Sequence, residues 1–457
     1  VYFSDFRDET GDLKDLYALV NSGTAELDFP SGSGEQKTYK WTADRGVPIG
    51  GLLARLAYSI SLGDSNLLIS GSVTASTRLI YRRNVIERAR LIYPFLRFDG
   101  DPYIVLLDGR IVWVLDGYTV SGRVPYSARV AGDIESLNYI RNPVKVTVDA
   151  YTGEATAYAI DPAEPILRTY MRVYPGLVRP LSELPPGMVE HFRYPEDMFN
   201  LQARQITLYH VTDPVAFLQN QDAWDVAHER DIEGNRAQIR PYYVQMKLPD
   251  EDRDGFMLIL PFTPRQKGNM SGWLSAHSDP SSYGKLVLYR YQGQSLENIP
   301  GPEQMENRFN TDPKIAQINL EFGANRQSEI IVGNLLVIPI GRSVMYVEPL
   351  FLRSSTPGSP PIPELKKVIL AFSNRISVAD SYEQALAELL GSAAPSAAPP
   401  DSSQPGQPKP AEVEKGAIRE VARLLDQAEA ALRQGDFARY GELQRRARAR
   451  LRELAGN

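Results

Sequence analysis

The stretch Asn138-Tyr-Ile-Arg-Asn-Pro-Val-Lys-Val-Thr-Val-Asp-Ala-Tyr-Thr-Gly-Glu-Ala-Thr-Ala-Tyr158 decides how the first part of this chain folds. Before its turn, three valines alternate with polar residues: Val144, Val146 and Val148. Thr152-Gly153 supplies the turn, and three alanines return on one face: Ala155, Ala157 and Ala159. A two-residue period on both sides of a glycine-containing turn is typical of paired antiparallel strands. The stretch therefore predicts a β-hairpin.

A β-meander is predicted just before this hairpin. Its three strands are expected at residues 103–107, 111–115 and 118–121. Asp108-Gly109 and Asp116-Gly117 separate them, and such dipeptides tolerate the positive φ that tight turns need. Both dipeptides are therefore predicted to be turns, and the hairpin either extends this sheet or starts another.

Two helices are predicted upstream of the meander. The first covers residues 47–61 and carries an apolar stripe at helical spacing: Ile49, Leu52, Leu53, Leu56, Ala57 and Ile60. A stripe of this kind usually packs against a protein core, so core packing is expected here. The second helix begins after Asn84, in a sequence that resembles a capping box, and runs through Tyr93.

The predicted fold class is α+β, with mixed, mainly antiparallel β-sheets, helices and a C-terminal α-helical hairpin. Thr212 is the expected cap of a helix in the middle of the chain. Composition and periodicity divide the chain into five segments: an α+β segment with the meander and hairpin (1–161), a mainly helical connecting segment (162–240), a β-rich segment with a closing helix (241–391), a disordered Ala/Pro/Ser linker (392–410) and an α-helical hairpin (411–457).

Composition excludes several classes of function. A hydrophobic content of 43% and a charged content of 23% are those of a folded protein. The net charge of −6 argues against nucleic acid as a partner, since phosphate binding needs a concentrated basic surface. The chain has no cysteine, which excludes disulfides and thiolate metal sites. No apolar run approaches the roughly 20 residues of a spanning helix. Because the chain starts at Val1, it is expected to be the soluble piece of a longer protein.

Asp99 and Asp101 are the first candidates for chemistry. Asp99-Gly-Asp-Pro-Tyr103 places two carboxylates two residues apart on a turn. Such a pair can hold a hard cation or divide the roles of acid and base. Aspartate and glycine also simply build turns between strands, and this structural interpretation is preferred. No metal site and no cofactor are therefore predicted.

The remaining candidate ligand-binding residues are two tyrosines and two histidines. Tyr103 and Tyr118 lie near turn motifs, and tyrosine-lined surfaces bind glycans and peptides. His191 and His210 belong to no HExxH or HxH pair, so a zinc site would need distant partners. A buried or capping role is preferred for both histidines. No catalytic residue can be assigned, and whether the chain is an enzyme is left open, with a non-enzyme favoured.

Several blocks of the chain resemble uncharacterised protein family 0182 (UPF0182). They occur in family order at residues 46–57, 63–69, 108–119, 138–158, 192–199, 209–214, 258–264, 333–339 and 346–350. The family resemblance implies a large bacterial multi-pass membrane protein, of which this chain would be the soluble extracytoplasmic C-terminal part. It implies localisation at the cell membrane and, as a partner, the missing N-terminal membrane-spanning region of the same protein.

This resemblance supplies no established activity, so three functions remain open. The leading hypothesis is binding or scaffolding at the cell envelope, with an envelope protein, a glycan or a lipid as partner. The first alternative is an envelope hydrolase that uses carboxylates near Asp99 and Asp101 together with His191 or His210. The second is an accessory domain of a membrane transporter.

Overall fold

The computed structural model describes residues 1–391, apart from short gaps, and four residues beyond them. The gaps are residues 8–10, 12–15, 25, 31–35, 42–44, 128, 130–136, 231–234, 250, 266, 292–298, 324–327, 342 and 355–361. The chain forms two compact units, Val1–Ala394 and Pro395–Asn457. The described residues of the second unit are all helical: Gln427, Arg439, Leu443 and Arg446. The predicted linker at 392–410 and the rest of the predicted hairpin at 411–457 lie outside the described residues.

The described part of the first unit contains nine α-helices. They are α1 (Leu52–Leu62), α2 (Asn66–Ile69), α3 (Val85–Ile92), α4 (Pro165–Val173), α5 (Glu196–Tyr209), α6 (Pro214–Leu218), α7 (Pro302–Thr311), α8 (Pro313–Gly323) and α9 (Tyr382–Leu389). Two short 3-10 helices precede α5, at Leu181–Glu183 and Val189–His191.

Side-chain caps explain where several of these helices begin. The Asn84 side chain accepts hydrogen bonds from the amides of Ile86 and Glu87, so the predicted start of α3 is confirmed. The predicted cap of α6 is wrong by one residue. Asp213, not Thr212, is the N-cap, and its carboxylate accepts from the Ala216 amide at 2.7 Å.

Strands make up most of the remaining structure. Those of the first half are β1 (Ala18–Val20), β2 (Glu26–Pro30), β3 (Gln36–Tyr39), β4 (Val47–Pro48), β5 (Arg78–Ile80), β6 (Arg97–Phe98), β7 (Tyr103–Leu107), β8 (Arg110–Ser121), β9 (Tyr139–Asp149), β10 (Ala155–Ala159) and β11 (Val178–Pro180). Those of the second half are β12 (Trp224–Val226), β13 (His228–Arg230), β14 (Arg236–Gln238), β15 (Tyr242–Lys247), β16 (Asp254–Pro264), β17 (Gly272–His277), β18 (Leu286–Arg290), β19 (Ser328–Val332), β20 (Leu336–Ile340), β21 (Ser343–Ser354), β22 (Glu364–Phe372) and β23 (Arg375–Ala379).

The strands of the first half form three sheets. The largest has the order β11-β10-β9-β8-β6, with β7 also paired to β8. A small sheet has the order β1-β5-β4, and β2 pairs with β3. The predicted hairpin is confirmed as β9 and β10, with Val146 opposite Ala157. Gly153 in its turn has a φ of +68°, and a Cβ there would overlap the Phe3 ring, so only glycine fits.

The predicted meander needs one correction. Asp108-Gly109 forms a turn with positive φ at both residues, as expected. Asp116-Gly117 is not a turn, because β8 runs unbroken through it. Lys145 lies directly opposite Asp116 on β9, and this cross-strand pair keeps the dipeptide extended. The register shifts just beyond, between Gly117 and Thr119, where the ladder has a bulge or irregularity.

The strands of the second half form two five-stranded sheets and one small one. The orders are β12-β16-β17-β18, with β15 on β16, and β19-β21-β22-β23, with β20 on β21. β13 pairs with β14. Within the described residues every strand pairing is antiparallel except that of β10 and β11, so the predicted α+β class with mainly antiparallel sheets is confirmed.

Two large apolar cores hold the described part of the first unit together. The first lies under the largest sheet and includes Phe3, Trp113, Leu115, Val146 and Leu167. The second lies between α5, α7 and the sheets of the second half and includes Phe199, Trp224, Phe262, Phe309 and Tyr346. A smaller core under the β1-β5-β4 sheet includes Ile49, Leu67, Val73 and Leu79. It lies below α1 and α2.

Candidate functional site

The loop between β6 and β7 brings several of the predicted site residues together. Asp99 is buried there and accepts three hydrogen bonds: from the Tyr118 hydroxyl, from the Asp101 amide at 2.9 Å and from the Asp197 amide at 3.1 Å. Asp99 therefore ties this loop to β8 and to the first turn of α5. Its oxygens are occupied by these donors, which is the pattern of a structural anchor.

Three further carboxylates lie near this anchor, Asp101 on the same loop and Glu196 and Asp197 in the first turn of α5. Asp101 and Asp197 are exposed and Glu196 is half-buried. Desolvation, followed by the charges of Asp101 and Asp99, raises the pKa of Glu196 to about 7. Desolvation and the charge of Asp99 also raise the pKa values of Asp101 and Asp197. Glu196 can therefore exchange a proton near neutral pH, the property that a general acid or base needs.

A buried ion pair lies behind the acidic group. Lys145 Nζ is 2.5 Å from Asp116 Oδ1, with both side chains removed from solvent, and it also donates to the Arg193 carbonyl at 2.6 Å. Burial raises the pKa of Asp116 to about 6 against the opposing charge of Lys145, and burial lowers the pKa of Lys145. The pair is held at the junction of β8, β9 and the segment before α5.

Aromatic rings enclose the lysine. The Lys145 ammonium lies 5.2–5.9 Å from the ring centres of Tyr103, Phe192 and Tyr283. Such contacts stabilise a cation that has lost its water. Tyr103, predicted as a ligand-binding residue, is buried in this cage, and its hydroxyl accepts from the Arg193 amide at 3.1 Å. Burial raises the pKa of Tyr103, so the phenol stays neutral.

The structure does not add the predicted histidines to this cluster. His210 stacks on Trp224 with ring centres 3.7 Å apart, beside the second core. Its ring nitrogens lie 2.7 Å and 2.9 Å from the carbonyls of Ile206 and Asp222, and burial lowers its pKa. His191 ends a 3-10 helix with an exposed side chain. Among the residues that the structure describes, no group of three or more histidines and carboxylates is arranged to hold a metal ion.

The most unusual surface is one that the sequence pattern assigned to the core. Four apolar residues on one side of α1 are between 44% and 82% exposed: Leu52, Leu53, Leu56 and Ile60. Ala57 is exposed as well, and only Ile49, which precedes the helix, is buried. The expected core packing of this stripe is therefore wrong. Leu52, Leu53, Leu56 and Ile60 are called the α1 apolar face below.

Polar groups explain why α1 is turned this way. The Arg55 guanidinium donates to the carbonyls of Ile49 at 3.1 Å and Val73 at 2.7 Å, and the buried Ser59 hydroxyl donates to the Asp64 carbonyl at 2.7 Å. Arg55 and Ser59 are four residues apart and so lie on the same side of the helix. Arg55 and Ser59 are the sequence signal for this orientation of α1, but the apolar stripe is the more conspicuous pattern.

Comparison with known proteins places the chain in a family. The model of an uncharacterised protein family, UPF0182, matches residues 1–320. The chain belongs to UPF0182. It is similar to a UPF0182 protein of Desulforamulus reducens, with 40% identity over 441 residues that make up 94% of this chain and 46% of the relative. A UPF0182 protein of Methanospirillum hungatei is 38% identical over 93% of this chain and 46% of its own length.

The UPF0182 relatives are about twice as long as this chain. A third one, from Moorella thermoacetica, is 38% identical over 97% of this chain and 48% of its own length. The chain thus spans about half the length of the curated UPF0182 relatives it matches. No solved structure matches it. Among its described helices, none is long and apolar enough to cross a membrane.

Proposed function

We propose that this UPF0182 chain is the extracytoplasmic portion of an integral membrane protein and works as a binding module at the cell envelope. In this proposal the α1 apolar face enters the interface of the lipid bilayer. The exposure of Leu52, Leu53, Leu56 and Ile60 is the observation that carries the proposal. A lipid is one of the three partner classes of the leading hypothesis from the sequence.

The α1 apolar face consists of large aliphatic side chains, which can be buried in a membrane interface. Burying one leucine or isoleucine side chain contributes roughly 1.5–3 kcal/mol, so four exposed together are costly in water. Ile69 on the neighbouring α2 is exposed too. Arg55 is the single charged residue of α1, and its guanidinium is held by backbone carbonyls beneath the helix. The surface that meets the bilayer would therefore present no unpaired charge from α1.

The length of α1 also fits this position. The helix has 11 residues, about half of the roughly 20 that a spanning helix needs. An exposed leucine-rich face on a helix of this length supports an interfacial helix rather than a spanning one.

The hydrolase alternative has less support. The Asp99 carboxylate already accepts three hydrogen bonds, and His210 stacks on Trp224. Glu196 has a suitable pKa, but neither His191 nor His210 is among the charged groups that shift it. No specific observation favours the transporter alternative.

Flotation with phosphatidylcholine vesicles tests the proposal. The variant Leu52→Gln removes one leucine of the α1 apolar face, and Leu320→Gln on α8 is the matched control, because each leucine is helical and 74% exposed. We expect Leu52→Gln to lower vesicle partitioning about tenfold and Leu320→Gln to leave it unchanged. Equal partitioning of the wild type, Leu52→Gln and Leu320→Gln into the vesicles would contradict the proposal. So would a wild-type chain that stays off vesicles but forms an oligomer that Leu52→Gln dissociates.

A further inference from the structure

The part of the chain that carries the α1 apolar face is poor in charge. Residues 47–77, which contain β4, α1 and α2, include only two charged residues, Arg55 and Asp64. In the whole chain 23% of the residues are charged, so this segment is well below the average. Most of its polar residues are serines and threonines. The surroundings of the α1 apolar face are therefore polar but almost uncharged.

Both charged groups of this segment are held by hydrogen bonds within the protein. The Arg55 guanidinium donates to the carbonyls of Ile49 and Val73, as described above. Asp64, in the turn between α1 and α2, accepts from the Tyr17 hydroxyl and from the Asn66 amide at 2.9 Å. The bond from Tyr17, followed by the bond from the Asn66 amide, lowers the pKa of Asp64. The single anion therefore stays ionised, while the single cation is bound to backbone carbonyls.

This charge distribution limits what can attract the α1 apolar face to a bilayer. Interfacial helices usually carry lysine and arginine on their polar face, and these residues attract anionic lipids. Each such cation strengthens binding to an anionic membrane about fivefold. Residues 47–77 provide no cation besides Arg55, and the chain as a whole has a net charge of −6. The attraction that remains is the burial of apolar side chains, which does not depend on headgroup charge.

Burial of large side chains depends instead on how tightly the lipids are packed. The α1 apolar face is made of three leucines and one isoleucine, and Ile69 on α2 is 79% exposed as well. Such side chains enter a bilayer only where the headgroups leave hydrocarbon uncovered. Binding that relies on apolar burial is accordingly sensitive to curvature and to lipid composition. Unsaturated lipids in strongly curved vesicles leave more hydrocarbon uncovered than saturated lipids in flat ones.

We propose that the α1 apolar face selects bilayers by the packing of their lipids and not by the charge of their headgroups. Its partner is a loosely packed or strongly curved phospholipid surface that needs no anionic lipid. This inference rests on the proposed function, the contact of α1 with a bilayer. It adds which bilayers are bound and which physical property distinguishes them.

Partitioning of the full chain into a panel of vesicles tests this selectivity. The panel contains small vesicles of unsaturated phosphatidylcholine, large vesicles of saturated phosphatidylcholine, and the small vesicles mixed with phosphatidylglycerol at low and at high salt. We expect partitioning to be about tenfold stronger into the small unsaturated vesicles than into the large saturated ones, which is the effect of inserting one more leucine. Phosphatidylglycerol and salt are each expected to change partitioning by less than about twofold.

Two charge variants show whether the vesicle assay detects a cation at α1. Ser61→Lys adds a cation at an exposed position next to Ile60, and Asn310→Lys adds the same charge at an exposed position of α7. We expect Ser61→Lys to strengthen partitioning into the phosphatidylglycerol vesicles about fivefold at low salt and to lose this gain at high salt. Asn310→Lys should behave as the wild type. Thermal unfolding of both variants checks that the fold is kept.

The outcomes separate this inference from the proposed function. A wild-type chain that prefers phosphatidylglycerol at low salt and loses the preference at high salt would overturn the inference but leave the bilayer contact in place. Equal partitioning into the small unsaturated and the large saturated vesicles would also overturn it. So would the absence of a gain in Ser61→Lys, or an equal gain in Asn310→Lys. A chain that binds none of the vesicles would contradict the proposed function itself, and this inference with it.

Discussion

On helix α1, Leu53 is 82% exposed while Ser59, less than two turns later, is 7% exposed. The helix thus presents its leucines to the surroundings and a serine to the protein. The Arg55 guanidinium ties the helix to the protein through the carbonyls of Ile49 and Val73, and the Ser59 hydroxyl donates to the Asp64 carbonyl just past the end of the helix. A helix with this arrangement is stable on the body of the protein and still offers an apolar surface to a partner.

The first prediction contrasts the two sides of α1. Ser59→Ala removes the hydrogen bond to the Asp64 carbonyl and is expected to lower the free energy of unfolding by about 1 kcal/mol. Leu53→Gln changes an exposed side chain and is expected to stay within about 0.5 kcal/mol of the wild type. Urea unfolding followed by circular dichroism measures both. A large loss in Leu53→Gln would mean that the leucine is packed after all.

The second prediction concerns the buried pair of Lys145 and Asp116. Lys145→Met leaves the carboxylate of Asp116 buried without its counter-charge, which is expected to cost about 3–5 kcal/mol. The double variant Lys145→Met with Asp116→Leu removes both charges and should recover most of that loss. Chemical unfolding of both variants gives the comparison. A double variant as unstable as the single one would show that packing, not charge, sets the cost.

The third prediction is a pH dependence that arises in the second core. Burial, followed by the charges of Glu306 and Glu229, raises the pKa of Glu348 from 4.5 to about 8. Between those values the folded chain keeps a proton that the unfolded chain has released, so stability falls as the pH rises through this window and levels off above it. Because each pH unit of that window is worth about 1.4 kcal/mol, the contribution of Glu348 is on the order of 5 kcal/mol.

Removing that carboxyl should flatten the pH profile. We expect Glu348→Gln to lose much less stability between about pH 5 and pH 8.5 than the wild type does. Part of the fall remains, because burial also raises the pKa of Glu306 to about 7. Glu364→Gln, on the exposed start of β22, is the control and should keep the wild-type profile. Parallel profiles for wild type and Glu348→Gln would show that this carboxyl ionises normally.

The fourth prediction separates Asp99 from Asp101. Asp99→Ala leaves the Tyr118 hydroxyl and the amides of Asp101 and Asp197 without their acceptor and should cost about 2–4 kcal/mol. Asp101→Ala changes an exposed group that accepts none of these bonds and should cost less than about 1 kcal/mol. Melting with and without divalent cations provides the measurement. A cation-dependent stabilisation that both variants abolish would instead establish a metal site.

Much of the fold follows from local patterns. The hairpin, the Asp108-Gly109 turn and the Asn84 cap each rest on a few neighbouring residues, and the structure has all of them. Local patterns gave a wrong prediction where a residue distant in the sequence determines the backbone conformation. Asp116-Gly117 stays extended because Lys145 lies across from it on another strand. Strand β17, buried along its whole length, carries Gly272 and Ser275 and so lacks the apolar alternation that identifies a strand.

The candidate sites were harder to predict than the strands. Asp99, Asp101, Tyr103 and Tyr118 do come together. Lys145, which pairs with Asp116 behind them, alternates with valines along β9, and a polar residue at such a position is predicted to face solvent. One cavity is lined by Trp41, Arg45, Arg82 and Arg88, which come from separate parts of the chain. No local period links such residues, so only the folded chain brings them together.

Depth measurement at α1 tests the central claim most directly. The chain has no cysteine, so Leu53→Cys takes a single nitroxide label, and Leu320→Cys gives the matched label on α8. With phosphatidylcholine vesicles, we predict that the label at position 53 becomes accessible to oxygen and protected from a water-soluble nickel complex. The label at position 320 should remain in water. A label at position 53 that stays as accessible to nickel as the one at position 320 would contradict the bilayer contact.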